Sequence, residues 1–556
     1  MQKPWLSSYP PYVPAEIDTH QYRSLVDLFQ QTVAEFADSP AYSNMGKELS
    51  YAQVDQFSKA LAAYLIRGAG MQPGERIAIM LPNVLQYPIA LFAGLRAGLI
   101  VVNTNPMYTE RELAHQLQDS GATAIVILDN FAHTLQAILP EVPQLKTIIT
   151  TGIGDLLGDF KGLLVNAVVK YVKKMVPTYQ LPTALRFRQA LNLGQHYADH
   201  FQDANPQHED IAFLQYTGGT TGVAKGAMLS HRNLIANILQ ADAWTAKDLI
   251  NGQEIFITAL PLYHVFALTA NGFFAVRLGA KNVLITNPRD MPAFLKELQK
   301  HAFTFISGVN TLFNAMLNHP DIHKVNFSAL KITLGGGMAV QRAVADKWKQ
   351  VTGVTLLEAY GLTETSPAVC INPVDLPEYN GMIGLPLSST EVSIRDINGD
   401  ALDFEQAGEL WVKGPQVMQG YWQRPDETAK VMRPEGWLRT GDIALMNSQG
   451  YVKLVDRLKD MVLVSGFNVY PNEIEDILAL HPKILEAGVI GIKDDYSGEV
   501  VKAFIVKKDP SLTEEEVRDY CRRELSAYKC PKQIVFVDNL PKSNVGKILR
   551  KELRNL

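Results

Sequence analysis

Eighteen residues of the sequence, YTGGTTGVAKGAMLSHRN from Tyr216 to Asn233, concentrate groups suited to a polyphosphate. Gly218, Gly219 and Gly222 let backbone amides approach an anion, Thr217, Thr220 and Thr221 supply hydroxyl donors, and Lys225 adds a mobile positive charge. The stretch is not a P-loop, because Ala224 precedes Lys225 and Gly226 follows it where that motif needs Gly-Lys-Ser/Thr. Other residues have complementary chemistry. Glu364, after Thr363 in YGLTET, offers an oxygen ligand suited to Mg²⁺. Gly335, Gly336 and Gly337 follow the apolar run LKITL, a strand-then-turn pattern where a flat ring can lie against bare backbone. Asp442, in GWLRTGD, has the carboxylate that accepts two hydrogen bonds from ribose hydroxyls, and Arg457 follows it. Lys547, in SNVGKILR, is a cation of the kind that can offset repulsion between two anions.

These groups must be held by elements that the sequence announces through its periodicity. YAQVDQFSKALAAYLIRGAG reads as a helix ending in glycine, ERIAIMLPN as a short apolar strand, ALFAGLRAG as a helix and ATAIVIL as another strand. That alternation predicts α/β layers with parallel strands. After about residue 460 the elements shorten. There ILEAGVIGI and VVKAFIVKK read as strands, and SLTEEEVRDYCRREL as a helix opened by a capping box of Thr513 and Glu516. The expected fold class is α/β: a large N-terminal body of several subdomains with α/β layers, followed by a small α+β C-terminal domain.

Composition narrows the function classes. A chain of 556 residues with 47% hydrophobic content needs more than one folding unit. With 52 basic and 57 acidic residues and a net charge of −5, it offers no overall electrostatic case for nucleic acid. Cys370, Cys521 and Cys530 lack metal or disulfide spacing. The N-terminus lacks a signal-peptide core, and the apolar stretch from Pro88 to Val102 is broken by Arg96, so a cytoplasmic protein without a transmembrane span is expected. GLLVNAVVKYVKKMVP, residues 162–177, has Asn166, Lys170, Lys173 and Lys174 at helical spacing. It reads either as an ordinary surface helix or as a peripheral contact with the inner face of a membrane.

Taken in order, YGLTET, GWLRTGD, DRLKDMVLVSGFNVYPNEIE and PKSNVGKILR, together with the Gly/Thr loop, resemble the adenylate-forming superfamily of acyl-CoA synthetases, adenylation domains and luciferases. Within it the pattern is most similar to bacterial long-chain fatty-acid–CoA ligases. The resemblance implies ATP, Mg²⁺ and coenzyme A as cofactor and co-substrates, and formation of acyl-AMP followed by a thioester. It assigns Tyr216, Thr217, Gly218, Gly219, Thr220, Thr221, Gly222 and Lys225 to the leaving phosphates. Thr363 goes to the α-phosphate and Glu364 to the metal. Gly335, Gly336, Gly337, Tyr360 and Gly361 go to adenine, and Asp442, Leu454 and Arg457 to the rest of the nucleotide. Lys547 is the catalytic cation. It divides the chain into an N-terminal domain at 1–456, a hinge at 457–460 pivoting on Lys459, and a mobile C-terminal domain at 461–556. Rotation between the two steps then brings Ser465 and Gly466 to a coenzyme A tunnel. The oligomeric state stays open, a dimer included.

The acid is read less directly. His264, in PLYHVFALT, is either a satisfied core histidine or a wall of the acyl pocket. That segment lacks the Asp with which amino-acid-activating relatives hold an ammonium group. Gly361 stands where acetate-specific relatives carry a pocket-filling Trp, which leaves room for a chain. Each buried methylene contributes about 0.8 kcal/mol, so a medium- to long-chain fatty acid is expected. The rivals are the same chemistry with an aryl acid or a carrier-protein thiol, and a non-catalytic lipid-binding protein on a ligase fold. The full set of Glu364, Asp442, Arg457 and Lys547 argues against the last.

Overall fold

The computed structural model describes residues 3–217, 224–494, 496–544 and 546–556. Four sheets form among them. In the first, Leu185–Arg186, Thr147–Thr151, Ala124–Leu128, Arg76–Met80, Ile100–Asn103 and Ile211–Thr217 run parallel, and Lys225–Ser230 closes the edge antiparallel to Ile211–Thr217. The second has nine strands. Its parallel centre runs Leu356–Gly361, Ile332–Gly336, Phe305–Gly308, Ile255–Thr258, Lys281–Leu284 and Pro40–Asn44, with antiparallel strands at both ends. Helix Gln86–Arg96 packs on the first of these sheets and is buried along its whole length, as its largely apolar sequence requires. Arg96 is tolerated there because Asp55 and Asp203 pair with it at 2.6 and 2.8 Å.

A third, antiparallel sheet ends on Val452–Arg457, and the fourth begins at Val462–Val464. The fourth belongs to a small α+β domain in which Ile484–Asp494 and Gly498–Lys507 form a long hairpin flanked by helices Pro471–Ala479 and Glu514–Glu524. The expected α/β body with an α+β tail is therefore present. The cap of Glu514–Glu524 is only half a box: Thr513 accepts from the Glu516 amide at 3.2 Å, but the Glu516 side chain turns to Lys483 at 3.0 Å.

Residues 162–177 differ from expectation in extent and in the placing of Asn166 apart from the lysines. The helix starts earlier, at Asp159–Ala167, and continues as a π-helical turn over Val168–Val172. Asn166 faces the body, accepting from the Gly154 amide and donating to Asp155, each at 2.8 Å. Val165 packs on the core, whereas other apolar side chains point outward: Phe160 is 85% exposed, Tyr171 70% and Val172 73%. Among the described residues, no helix is long and apolar enough to cross a membrane.

Candidate active site

Parallel strands end in glycines at Ile332–Gly336 and Leu356–Gly361, and ligands of open α/β sheets gather at such carboxyl ends. A cavity of about 1570 Å³ opens there, lined by both the body and the small domain. Tyr360 donates its hydroxyl to Asp442 Oδ2 at 2.6 Å. Asp442 and Arg457 are cross-strand partners, with Arg457 Nε 3.5 Å from Asp442 Oδ1. Burial raises the Asp442 carboxyl above its ordinary value, opposed by Arg457 and the Tyr360 hydrogen bond.

Lys547 enters this cluster from the far end of the chain. Lys547 is half-buried, and desolvation followed by the Arg457 guanidinium pushes its pKa down to about 8, while Asp442 and Glu364 pull the other way. Two glycines admit it. A Cβ on Gly337, whose φ is +77°, would lie 3.4 Å from Lys547 Cε. A Cβ on Gly546, at φ +84°, would lie 2.8 Å from the Thr311 hydroxyl, which donates to the Gly546 carbonyl at 3.0 Å.

Glu364 sits in the short turn Thr363–Thr365 and accepts from the Tyr421 hydroxyl at 2.6 Å. Lys225 lies 5.1 Å above the Tyr421 ring and pairs with Glu427. Thr217 and Lys225 face each other in register at the ends of their strands. The loop residues Gly218, Gly219, Thr220, Thr221 and Gly222 lie outside the described residues. Tyr216 lines the cavity, but its hydroxyl is committed to Asp119 at 2.7 Å, and Asp119 also pairs with Arg424. Tyr421, Arg424 and Glu427 line the cavity too, though nothing in their own sequence context marks them.

Gly336, Gly337, Gly361, Thr363, Leu454 and Lys459 all reach the cavity, but Gly335 does not. Its Cα packs where a Cβ would meet Leu356 and Val340 at 2.6 and 2.7 Å. Gly361 has a packing reason of its own, since a Cβ there would fall 2.0 Å from the Pro367 carbonyl. Ser465 and Gly466 are exposed at the turn between Val462–Val464 and Phe467–Val469, away from the cavity.

His264 is half-buried and on the cavity wall. Burial and the Lys547 charge hold its pKa down at about 3, so its ring is neutral, with Nδ1 accepting from the Phe266 amide at 3.3 Å. Beyond it the lining turns apolar through Phe274, Phe305, Leu357, Ile371, Ala241 and Trp244. Trp244 is fixed by edge-on packing with Tyr9 at 5.2 Å and by donation from Nε1 to the Asn372 carbonyl at 3.1 Å. One further buried acid, Glu358, accepts from Tyr379 at 2.8 Å and from the Val340 amide at 3.1 Å, and burial pushes its pKa up to about 8.

Comparison with known proteins identifies the family. The family model described as AMP-binding enzyme matches residues 29–422, and that described as AMP-binding enzyme C-terminal domain matches 473–547. A protein of Yersinia pestis named long-chain-fatty-acid–CoA ligase is 56% identical, covering 100% of this chain and 98% of its own length. One of the same name from Escherichia coli O157:H7 is 55% identical with the same coverage. Among solved structures, the anthranilate CoA ligase AuaEII in complex with anthranoyl-AMP superposes with a TM-score of 0.86 at 24% identity, covering 97% of this chain and 98% of that one, a likeness of fold. The chain belongs to the AMP-binding enzyme family.

Proposed function

We propose that this chain activates a medium- to long-chain fatty acid with ATP to give acyl-AMP and pyrophosphate, then transfers the acyl group to coenzyme A with release of AMP. The observation that carries this reading is one cavity that gathers Lys547 with Asp442, Arg457 and Glu364 and also has apolar lining from Phe274, Phe305 and Trp244. A fatty acid, with a pKa near that of Glu at about 4.3, is already ionised at neutral pH and needs no general base. Its chain lies along Phe274, Phe305 and Trp244, with the carboxylate directed at the α-phosphorus. Asp442 holds the ribose and Tyr360 orients Asp442, while Lys547 offsets the charge gathering on the α-phosphate. Thr217, Lys225 and the loop between them take the departing phosphates.

Glu364 fits a magnesium ion. It is a carboxylate on the cavity wall, oriented by Tyr421. Among the described residues no group of three or more His, Cys, Asp or Glu is arranged to hold a metal alone, so phosphate and water oxygens would complete the shell. When bound, the ion supplies electrostatic stabilisation of the phosphates.

Thioester formation makes no use of Lys547. A turn of the small domain about Lys459 withdraws it and brings the exposed Ser465–Gly466 turn toward the cavity. The test of the whole reading is ATP–pyrophosphate exchange over a panel of carboxylic acids, followed by addition of coenzyme A. Exchange with fatty acids and then thioester is expected. No exchange with any fatty acid overturns the reading, and exchange without thioester favours another acceptor thiol.

The outward-facing Phe160, Leu163, Leu164, Tyr171 and Val172, next to Lys161, Lys170 and Lys173, favour a peripheral contact with an anionic membrane, from which a fatty acid is drawn. One such helix is a weak, reversible anchor. Replacing Lys170, Lys173 and Lys174 by Glu should reduce flotation with anionic vesicles, and unchanged flotation would end this part of the proposal.

A further inference from the structure

Arg550 lies three residues beyond Lys547, at the start of the short helix Arg550–Leu553, and it joins the two domains. Its Nη2 reaches Glu475 Oε2 at 2.9 Å and Asn472 Oδ1 at 2.5 Å, both on the small domain. Its Nη1 reaches Asp456 Oδ1 at 3.2 Å, on the last strand of the body. Asp456 is fully buried, and it also accepts from the Asn472 amide at 2.9 Å and the Arg457 amide at 2.7 Å. Asp460 completes the cluster, 3.7 Å from Arg550 and 2.9 Å from Arg554. A fork-shaped guanidinium with carboxylates on two sides fixes orientation as well as distance.

The partners divide at Lys459. Glu475, Asn472, Asp460 and Arg554 follow it in the chain, whereas Asp456 precedes it. A turn about Lys459 therefore leaves Arg550 still paired with Glu475 and breaks its bond to Asp456, along with the bonds of Asn472 to Asp456 and Val455. Arg550 consequently has a carboxylate partner in either arrangement, so its charge is never stranded. The lysine loop meets the body at a second point on the other side of Lys547, through Thr311 and the Gly546 carbonyl.

We propose that Arg550 is a positioning residue for adenylation: clamped between Asp456 of the body and Glu475 of the small domain, it docks the Lys547 loop in the cavity, and its Asp456 half is released when the domain turns. This rests on the two-step reading above.

The test uses full-length Asp456→Asn, Arg550→Lys and the double variant. The first substitution keeps an acceptor oxygen for a backbone amide but loses the charge, while the second keeps the charge but loses the fork. Each single variant should lower fatty-acid-dependent ATP–pyrophosphate exchange at least tenfold. Thioester formation from supplied acyl-AMP and coenzyme A should stay within about twofold of wild type, and the double variant should be no worse than the poorer single one, as for two residues in one interaction. Equal loss of both half-reactions, unchanged exchange, or multiplied losses in the double variant would overturn the clamp. A readout independent of chemistry separates this from failure of the functional reading. Trypsin cleavage after Arg457 or Lys459 should accelerate in Asp456→Asn at unchanged melting temperature, and an unchanged cleavage rate would overturn the clamp whatever the substrate proves to be.

Discussion

Tyr360 and Asp442 form a buried pair, the phenol donating to carboxylate Oδ2 at 2.6 Å from a different sheet of the body. Asp442 titrates above its ordinary value because it is buried, and the Tyr360 bond works against that rise. Tyr360→Phe removes the donor, so the Asp442 pKa rises further and its ionised form is lost at higher pH. The expected outcome is an acid limb of the exchange pH profile moved upward, with kcat/KM for ATP about tenfold lower, in line with a hydrogen bond to a charged group of about 1.5–3 kcal/mol. A pH series of ATP–pyrophosphate exchange checks it.

Lys547 sets the opposite limb. Its ordinary value of 10.5 is lowered to about 8, so the free protein loses the ammonium as pH rises through about 8. Exchange measured as kcat/KM should fall above that pH, the free-enzyme profile being the one that reports this group. Lys547→Arg, charged throughout, should lose the alkaline limb even where its rate is reduced.

Tyr421 holds Glu364 and lies under Lys225. Tyr421→Phe keeps the ring and frees the carboxylate. The magnesium concentration needed for half-maximal exchange should rise on the order of tenfold, the usual cost of losing a residue that orients a metal ligand. Titration with Mg²⁺ at fixed ATP measures this.

Much of this site could be read in the sequence, because glycines, a Thr-Glu pair, an Asp and a terminal Lys each lie in contiguous motifs. Their convergence could not be read from local pattern, since Asp442, Glu364 and Lys547 come together only through the pairing of separate sheets and domains. Tyr421, Arg424 and Glu427 left no signal for the same reason: their partners Glu364, Asp119 and Lys225 are distant in the chain. Gly335 shows a different limit of local pattern. A glycine triplet suggests one common purpose, yet Gly335 serves strand and loop packing while Gly336 and Gly337 face the cavity. Periodicity at 162–177 identified a helix with lysines at helical spacing, but not that several of its apolar side chains face outward.

Gly361, expected from the sequence to leave room for an acyl chain, also has a packing reason to be glycine. Because a Cβ would overlap the Pro367 carbonyl, Gly361→Ala requires a backbone shift. A loss of about 1–3 kcal/mol of stability is expected, as for overpacking of a filled interior. Denaturant unfolding checks the stability, and exchange over acids of graded length shows whether the acyl arm is disturbed as well.

Lys547→Ala separates the two half-reactions. Fatty-acid-dependent ATP–pyrophosphate exchange should be abolished, while thioester formation from supplied acyl-AMP and coenzyme A should be largely retained. Equal loss of both would contradict the assignment of Lys547 to adenylation alone, and exchange near the wild-type rate would contradict its catalytic role altogether.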